Sequence, residues 1–389
     1  MPTRVLAIDA LRGLTIAFMI LVNDAGDWNH VYRQLDHSPW NGFTLTDLVF
    51  PTFLFLVGAS LILSLHARLA RGASRRTLAL HILRRAAILF VLDLFIAAYP
   101  HYLLSHLRLY GVLTRIALCY LLAGLILLIT QRPALLAAIT ATLLITYWAL
   151  MRFVPIPGLG IPTHQVPLLD PDNNLTAYID RAITAFLQHT IHTGALYEQT
   201  RDPEGLLSTL PALATTLLGS LTALWLRRPQ PVLRTLLGLI LAAVIATAAG
   251  LAWNPWFPIN KKLWTSSYVL FAAGLALLLL ALFYWLIDIL HIDRNSAGKA
   301  LLYPFLVFGS NAIAAYALAE LLVETLFWIR LPSPAAPGHP QTAWFWIYHN
   351  LFARQTSTEL TSLTFAIAYV LFCFLIIWLL HRKQIFIKI

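Results

Sequence analysis

Long apolar runs follow one another along this chain with little alternation inside them, and the polar residues collect in the segments between. A hydrocarbon core about 30 Å thick takes roughly 20 residues of helix. Runs of that length lie near 5–23, 47–66, 79–99, 110–130, 133–152, 205–226, 232–252, 265–288, 301–326 and 361–381. Each is expected to be a helix, because backbone in hydrocarbon must satisfy its own hydrogen bonds and the runs lack the two-residue period of a barrel strand. The pattern predicts an all-α integral membrane protein with about ten transmembrane helices.

Short basic loops set the expected orientation. Arg68, Arg71, Arg75 and Arg76 follow the second run, Arg227, Arg228 and Arg234 lie around the link between the sixth and seventh, and Arg382, Lys383 and Lys388 end the chain. With ten spans these fall on one side, which the positive-inside rule makes the cytoplasm, together with both termini. The non-cytoplasmic side then receives 24–46, 153–204, 253–264 and 327–360. A short amphipathic helix is expected within 153–204, at "NLTAYIDRAITAFLQHTI". The N-terminus imitates a signal peptide, but Asp9 and Arg12 interrupt its apolar stretch and no small-residue cleavage site follows, so it is read as a retained first span. Residues 1–389 are expected to form a single transmembrane domain.

Composition removes the alternatives. The chain is 59% hydrophobic and only 11% charged, against about 25% charged in soluble domains, and its mean hydropathy is +0.74. A formal charge of +10 reflects cytoplasmic loops in this reading, and no nucleic-acid partner is expected. Cys119 and Cys373 both sit in apolar runs, as small buried hydrophobes and not as a disulfide or a metal site.

Ionisable residues inside spans cost about 3 kcal/mol each even on the lenient insertion scale, so each one asks for a function. Asp9 and Arg12 lie three apart on one face of the first helix. Arg84 and Arg85 lie toward the basic end of the third, with Asp93 deeper; Arg115 lies in the outer part of the fourth, and Glu320 and Glu324 in that of the ninth. Structural ion pairs or snorkelling side chains are the competing account. The densest polar cluster is the first outer loop and its return, with Asn23, Asp24, Asp27, His30, His37, Trp40, Asn41, Thr44, Thr46 and Asp47 ahead of Pro51. Imidazole is the side chain most readily poised as a base near pH 7, and a neighbouring carboxylate or amide fixes its tautomer. Composition does not choose between His30 and His37.

"IDALRG", "VND" and "HSPWNGFTLTDLVFPTFLFLVGAS" resemble the opening of the transmembrane acetyltransferase family that includes heparan-alpha-glucosaminide N-acetyltransferase and its bacterial relatives. Further blocks, in order, are "GVLTRIALCYL", "DPEGLLSTLPALATTLLG", "INKKLWTSSYVLFAAG", "FGSNAIAAYALAE" and "RKQIFIKI". The resemblance implies transfer of acetyl from cytoplasmic acetyl-CoA to the amine of a terminal glucosamine across the membrane. It makes His37, ahead of "WNG", the catalytic histidine and Asn23 the active-site asparagine. The chain departs from the animal enzymes by opening directly at the "DALRG" helix and by a longer stretch between Asn23 and His37.

On these grounds the expected catalytic set is His37, Asn23 and Asp47. Arg12, Arg84, Arg85, Arg115 and Asn311 are expected to bind the acetyl-CoA co-substrate, since arginines hold phosphates by charge-assisted bonds. Asp9, Trp40, Asn41, Lys262, Trp264 and Glu320 are expected on the acceptor side, although Lys261, Lys262 and Trp264 also suit an interfacial anchor and Asn311 an interhelical contact. No metal is expected. Attack by an amine needs a base, and the developing oxyanion needs donors such as Asn23 or Asn311. His37 can serve as that base or take the acetyl group itself. Membrane lipid, acetyl-CoA and an amino-sugar acceptor are the expected partners, homodimerisation is left open, and a bacterial inner membrane is the expected location. The alternative function is a secondary transporter for an amino sugar, against which the chain offers no inverted repeat with matching Gly or Pro breaks.

Overall fold

A computed structural model describes residues 5–332 and 340–387. Its helices, in order, are α1 (Leu6–Asn23), α2 (Val49–Leu69), α3 (Arg75–Ala98), α4 (Val112–Ile129), α5 (Pro133–Phe153), α6 (Leu175–Ile191), α7 (Thr209–Leu226), α8 (Val232–Trp253), α9 (Ser266–Tyr284), α10 (Ser296–Ser310), α11 (Ala312–Trp328), the short α12 (Ala343–Ile347) and α13 (Glu359–Arg382). Among the described residues the only paired strands are two residues long, Arg330–Leu331 against Gln341–Thr342. The chain is an all-α, multi-pass membrane protein.

All ten apolar runs are helical, but they do not all stand as single spans. Among the described residues, eight helices, α1, α2, α4, α5, α7, α8, α9 and α13, are long and apolar enough to cross a membrane alone. The run expected as one helix over 301–326 is two, bent by 77° between α10 and α11. Asn311 is the break: its backbone leaves helical geometry at φ −130° and ψ 40°, and Pro304 already weakens the hydrogen-bond ladder of α10. The remaining run is α3, 24 residues long, in which Arg75, Arg76, Arg84, Arg85 and Asp93 dilute the apolar face. Asp93 has a local task there. Its carboxylate accepts from the backbone N–H groups of Leu113 (3.3 Å) and Thr114 (2.9 Å), capping α4 from the neighbouring helix where Gly111 offers no side chain.

The helices pack chiefly as pairs, α8 along α9, α2 along α7, α1 along α10 and α3 along α4. Two of these crossings depend on glycine. A Cβ at Gly58 of α2 would lie 1.8 Å from the Thr216 carbonyl oxygen of α7, and one at Gly13 of α1 would lie 1.6 Å from that of Phe305 in α10. In lipid, where association has little hydrophobic drive, such close backbone approach supplies the packing. α1 also touches α2, α9, α11 and α13, so the signal-like first run is a core helix of the bundle. Cys119 and Cys373 are free and buried.

The connecting segments gather at one end. Trp40 donates to the Leu169 carbonyl (2.8 Å), the Gly42 amide to that of Ile259 (2.9 Å), and Thr193 to that of Leu104 (2.5 Å). Trp28 stacks on Trp344 at 5.6 Å. The expected amphipathic helix is α6, capped by Asn174, whose side chain accepts from the Ala177 amide. Its Leu175 joins Tyr147, Met151, Ile156, Leu169, Phe257 and Leu263 in a small second core.

Candidate active site

The chain leaves α1, crosses that end and re-enters through a single 3-10 turn, Thr46–Leu48, which places Asp47 at the head of α2. Asp47 is buried at 1% exposure and fully engaged. Oδ1 lies 2.7 Å from His37 Nδ1, while Oδ2 accepts from the amides of Ser38 (3.2 Å) and Thr44 (3.0 Å) and from the Thr44 hydroxyl (3.1 Å). The Asp47 carbonyl accepts from the buried Tyr268 hydroxyl at 2.6 Å. A carboxylate so fixed orients the imidazole through Nδ1 and leaves Nε2 for chemistry. The His37 side chain is 40% exposed. Partial burial and the charge of Lys261 hold its pKa below the ordinary histidine value, against the pull of Asp47.

The "WNG" turn beside His37 is stapled to the "INKKLW" segment. Ser38 donates to the Asn41 carbonyl (3.1 Å), and the Asn260 side-chain amide donates to Asn41 Oδ1 (3.1 Å). Asn260 is itself buried, accepting from the Leu263 amide at 2.9 Å. Gly42 adopts φ +121°, a conformation that favours glycine, with its amide on Ile259. The two adjacent lysines diverge. Lys262 pairs with Glu198 at 2.8 Å, and Arg201, also paired with Glu198, lies over the Trp40 ring at 5.0 Å. Lys261 acts on His37 and on the buried Glu204. Trp264 is wholly buried, donates to Thr215 at 3.1 Å and packs edge-on against Phe50 and Tyr268, which makes it a core residue and not an interfacial one.

His30 also has an acid, Asp27 Oδ2 at 2.7 Å. That carboxylate is occupied in pinning the loop to the head of α13, accepting from Ser357 at 2.6 Å, and the Asp27 backbone exchanges hydrogen bonds with the Ser362 side chain. Asn23 ends α1, exposed, with its carbonyl accepting from Trp28. Among the described residues, no hydrogen bond joins the Asn23 side chain to His37 or Asp47.

At the other end of the bundle a cavity of about 590 Å³ opens between α1, α2, α3, α4 and the α10–α11 break. Arg12, Arg68 and Arg85 supply its positive lining, and Ser60, Ser64, His81 and Tyr120 its polar groups. Arg12 is held by Asp9 (3.0 Å) and Ser60 (2.6 Å). Arg85 lies over the Tyr120 ring at 4.7 Å, and its buried Nε has no protein partner among the described residues. The α2 lining runs from Arg68 to Phe53, about 22 Å of helix at 1.5 Å per residue. Phe53 is six residues past Asp47, so the inner end of the cavity lies about 9 Å along the helix from the His37–Asp47 pair. Arginines spaced from the mouth at Arg68 to the middle at Arg12, along a long half-apolar channel, fit the phosphates and the pantetheine arm of a CoA thioester.

Other candidates lie elsewhere. Arg84 is exposed beside the cavity and does not line it. Arg115 is wholly buried near the opposite end, donating to the Gly205 carbonyl (2.9 Å) and the Ser208 hydroxyl and lying over Trp264 at 5.1 Å. Asn311 holds the C-terminal tail, and Glu320 lies four residues past Tyr316 within α11. The structure adds a network that sequence reasoning missed. Arg108 pairs with Asp202 and Glu204, each at 2.6 Å, and Asp180 accepts from the Leu206 amide with burial pushing its pKa up to about 7. The acids of "DPEG" were in plain view, but their partners lie some 95 residues away in sequence.

Residues 4–169 match the family model described as heparan-alpha-glucosaminide N-acetyltransferase, catalytic. Over nearly its whole length the chain is 28% identical to heparan-alpha-glucosaminide N-acetyltransferase of Mus musculus, covering 99% of this chain and 60% of that protein. With the Homo sapiens protein of the same name the identity is 27%, over 100% of this chain and 60% of the relative. The chain thus spans about three fifths of the length of these curated relatives, and the matched N-terminal part holds His37, Asp47, Arg12 and Arg85. By these matches and by the order of its motifs, the chain is similar to the heparan-alpha-glucosaminide N-acetyltransferases.

Proposed function

We propose that the chain transfers the acetyl group of acetyl-CoA to the amine of a glucosamine-type sugar, with His37 as the catalytic residue and Asp47 as its positioning residue. The observation that carries this reading is the alignment of the arginine-lined cavity with the His37–Asp47 pair along α2. CoA would enter at the end carrying Arg68 and Arg85, which the basic loops make cytoplasmic. The acceptor would meet His37 from the side of 24–46, 153–204, 253–264 and 327–360, the membrane being a bacterial inner one.

In the reaction the amine nitrogen bonds to the thioester carbonyl carbon, the C–S bond breaks, the amine proton passes to His37 Nε2, and CoA leaves as thiolate to be protonated. A neutral imidazole is needed, and Lys261 favours it. A relay through acetylated His37 uses the same nitrogen. Asn23, at the end of α1, is assigned to the oxyanion once acceptor and thioester are bound, and Trp40, with Arg201 over its ring, to the acceptor side.

The test is purified protein with acetyl-CoA and glucosamine, following free CoA. Acetylglucosamine formed in step with CoA supports the reading, and acetyl-CoA left intact with every amino sugar tried overturns it. Sidedness is checked separately, by cysteines placed in 153–204 and in 67–78 of a cysteine-free variant. Labelling of both from the same side with an impermeant thiol reagent would reject the orientation.

A further inference from the structure

Phe386 and Ile387, past the end of α13, enter none of the chemistry above, yet they line the cavity. After α13 the chain turns at Gln384, with φ +56°, and the Ile385 amide bonds back to the Leu380 carbonyl at 2.9 Å. Phe386 and Ile387 then form part of the cavity wall, opposite Ser60, Ser64 and Arg85 of α2 and α3. Phe386 packs edge-on against His381, which in turn bonds Ser310 at 3.1 Å.

One side chain holds this segment in register. Asn311, 1% exposed at the α10–α11 break, donates through Nδ2 to the Ile385 carbonyl (3.1 Å) and accepts at Oδ1 from the Ile387 amide (2.9 Å). A primary amide reads a donor and an acceptor of extended backbone at once, which an apolar residue cannot do and a carboxylate does only by half. The residues flanking it, Gly309, Ser310, Ala312 and Ile313, all line the cavity as well. The clamp therefore sits in the wall it organises. The clamp itself contributes two hydrogen bonds, a small free energy beside that of a packed transmembrane helix.

We infer that residues 384–387 are a strap, clamped by Asn311, that closes one side of the cavity and sets how readily its ligand enters and leaves. Asn311 is then a positioning residue acting on the ligand through the tail and not by contact. The ligand is acetyl-CoA if the proposed function holds, whereas the strap itself can be tested without that assumption.

A cysteine replacing Ser64 in a variant lacking Cys119 and Cys373 reports access to the cavity, through its rate of modification by a small charged thiol reagent. With the clamp intact, labelling is slow. In Asn311→Ala, and in a chain ending at Lys383, it is expected to rise about tenfold, equivalent to roughly 1.4 kcal/mol of lost closure. In the chain with native cysteines, Asn311→Ala should raise KM for acetyl-CoA by a similar factor, with kcat and the acceptor KM within about twofold. Phe386→Ala with Ile387→Ala, which leaves Asn311 in place, should have the same effects if Asn311→Ala folds poorly. Unchanged labelling in both the truncated chain and the double-alanine variant overturns the strap. Faster labelling in a protein that neither binds nor consumes acetyl-CoA upholds the strap and overturns the proposed function alone.

Discussion

Asp47 fixes His37 from ten residues further along the chain, with Oδ1 2.7 Å from Nδ1, and does so from the first turn of the helix that also walls the cavity. The pair thus joins the loop end of the bundle to the arginine end through one rigid element. Asp47→Asn should lower kcat by about 100-fold or more, because an amide NH2 facing Nδ1 stabilises the tautomer with its proton on Nε2, the nitrogen that must accept one. KM for acetyl-CoA should stay nearly constant. Steady-state kinetics decide this, and a variant with normal kcat would release Asp47 from the reaction.

Lys261 opposes protonation of His37, so its removal should move the acid limb of the pH profile. The sign is fixed by electrostatics. Without the nearby cation the imidazolium is less disfavoured, the pKa of His37 rises, and the neutral base is lost at a higher pH. Lys261→Met should therefore shift the acid limb of kcat/KM to higher pH. Lys262→Met should not, since Lys262 pairs with Glu198. A limb that stays put in Lys261→Met, or moves equally in both variants, would separate Lys261 from His37.

Arg12 and Arg85 line the cavity, whereas Arg84, next in sequence to Arg85, faces away from it. Replacing Arg12 and Arg85 together by Gln should weaken acetyl-CoA binding by about tenfold to 100-fold and flatten its dependence on salt. Arg84→Gln serves as the control and should bind within about twofold of the parent. Titration calorimetry at two ionic strengths reads both effects. Equal losses in the two proteins would mean that the arginines act through net charge and not through the cavity.

Much of this arrangement was legible in the chain because lipid imposes a simple rule, about 20 apolar residues per helix, and all ten runs are helical, eight of them as helices able to cross a membrane alone. The break at Asn311 was hidden because "FGSNAIAAY" is apolar enough to read as continuous helix. Only the tail, 74 residues away, accounts for the amide at that depth. Arg115 was expected to bind acetyl-CoA as an ionisable residue inside a span, and its position turned on Gly205 and Ser208, about 90 residues distant. The choice of Lys262 over Lys261 could not be made from two adjacent lysines, since which one faces His37 depends on the turn that Asn260 builds. The His37–Asp47 pair was the accessible part, because both ends lie in one loop and the resemblance singled out the histidine.

Asp180 gives a prediction on stability. It is wholly buried on α6, its Oδ1 accepts from the Leu206 amide at 2.9 Å, and its Oδ2 has no hydrogen-bond partner among the described residues. Burial pushes its pKa from 3.8 up to about 7. In the folded protein it therefore keeps a proton that the unfolded chain has already released. That stabilisation is complete below the unfolded pKa and is lost as pH rises through about 7, so the wild type should weaken between roughly pH 4 and pH 7 on this account. Asn at this position carries no charge at any pH and can still accept from Leu206. Asp180→Asn should match the wild type near pH 4 and exceed it at pH 8 by on the order of 4 kcal/mol, about 1.4 kcal/mol for each unit between 3.8 and about 7. Thermal unfolding of detergent-purified protein at the two pH values measures the difference. The opposite result, a variant less stable than the wild type at pH 8, would mean that Asp180 is ionised there and pairs with Arg115, whose Nε and Nη1 also have no hydrogen-bond partner among the described residues.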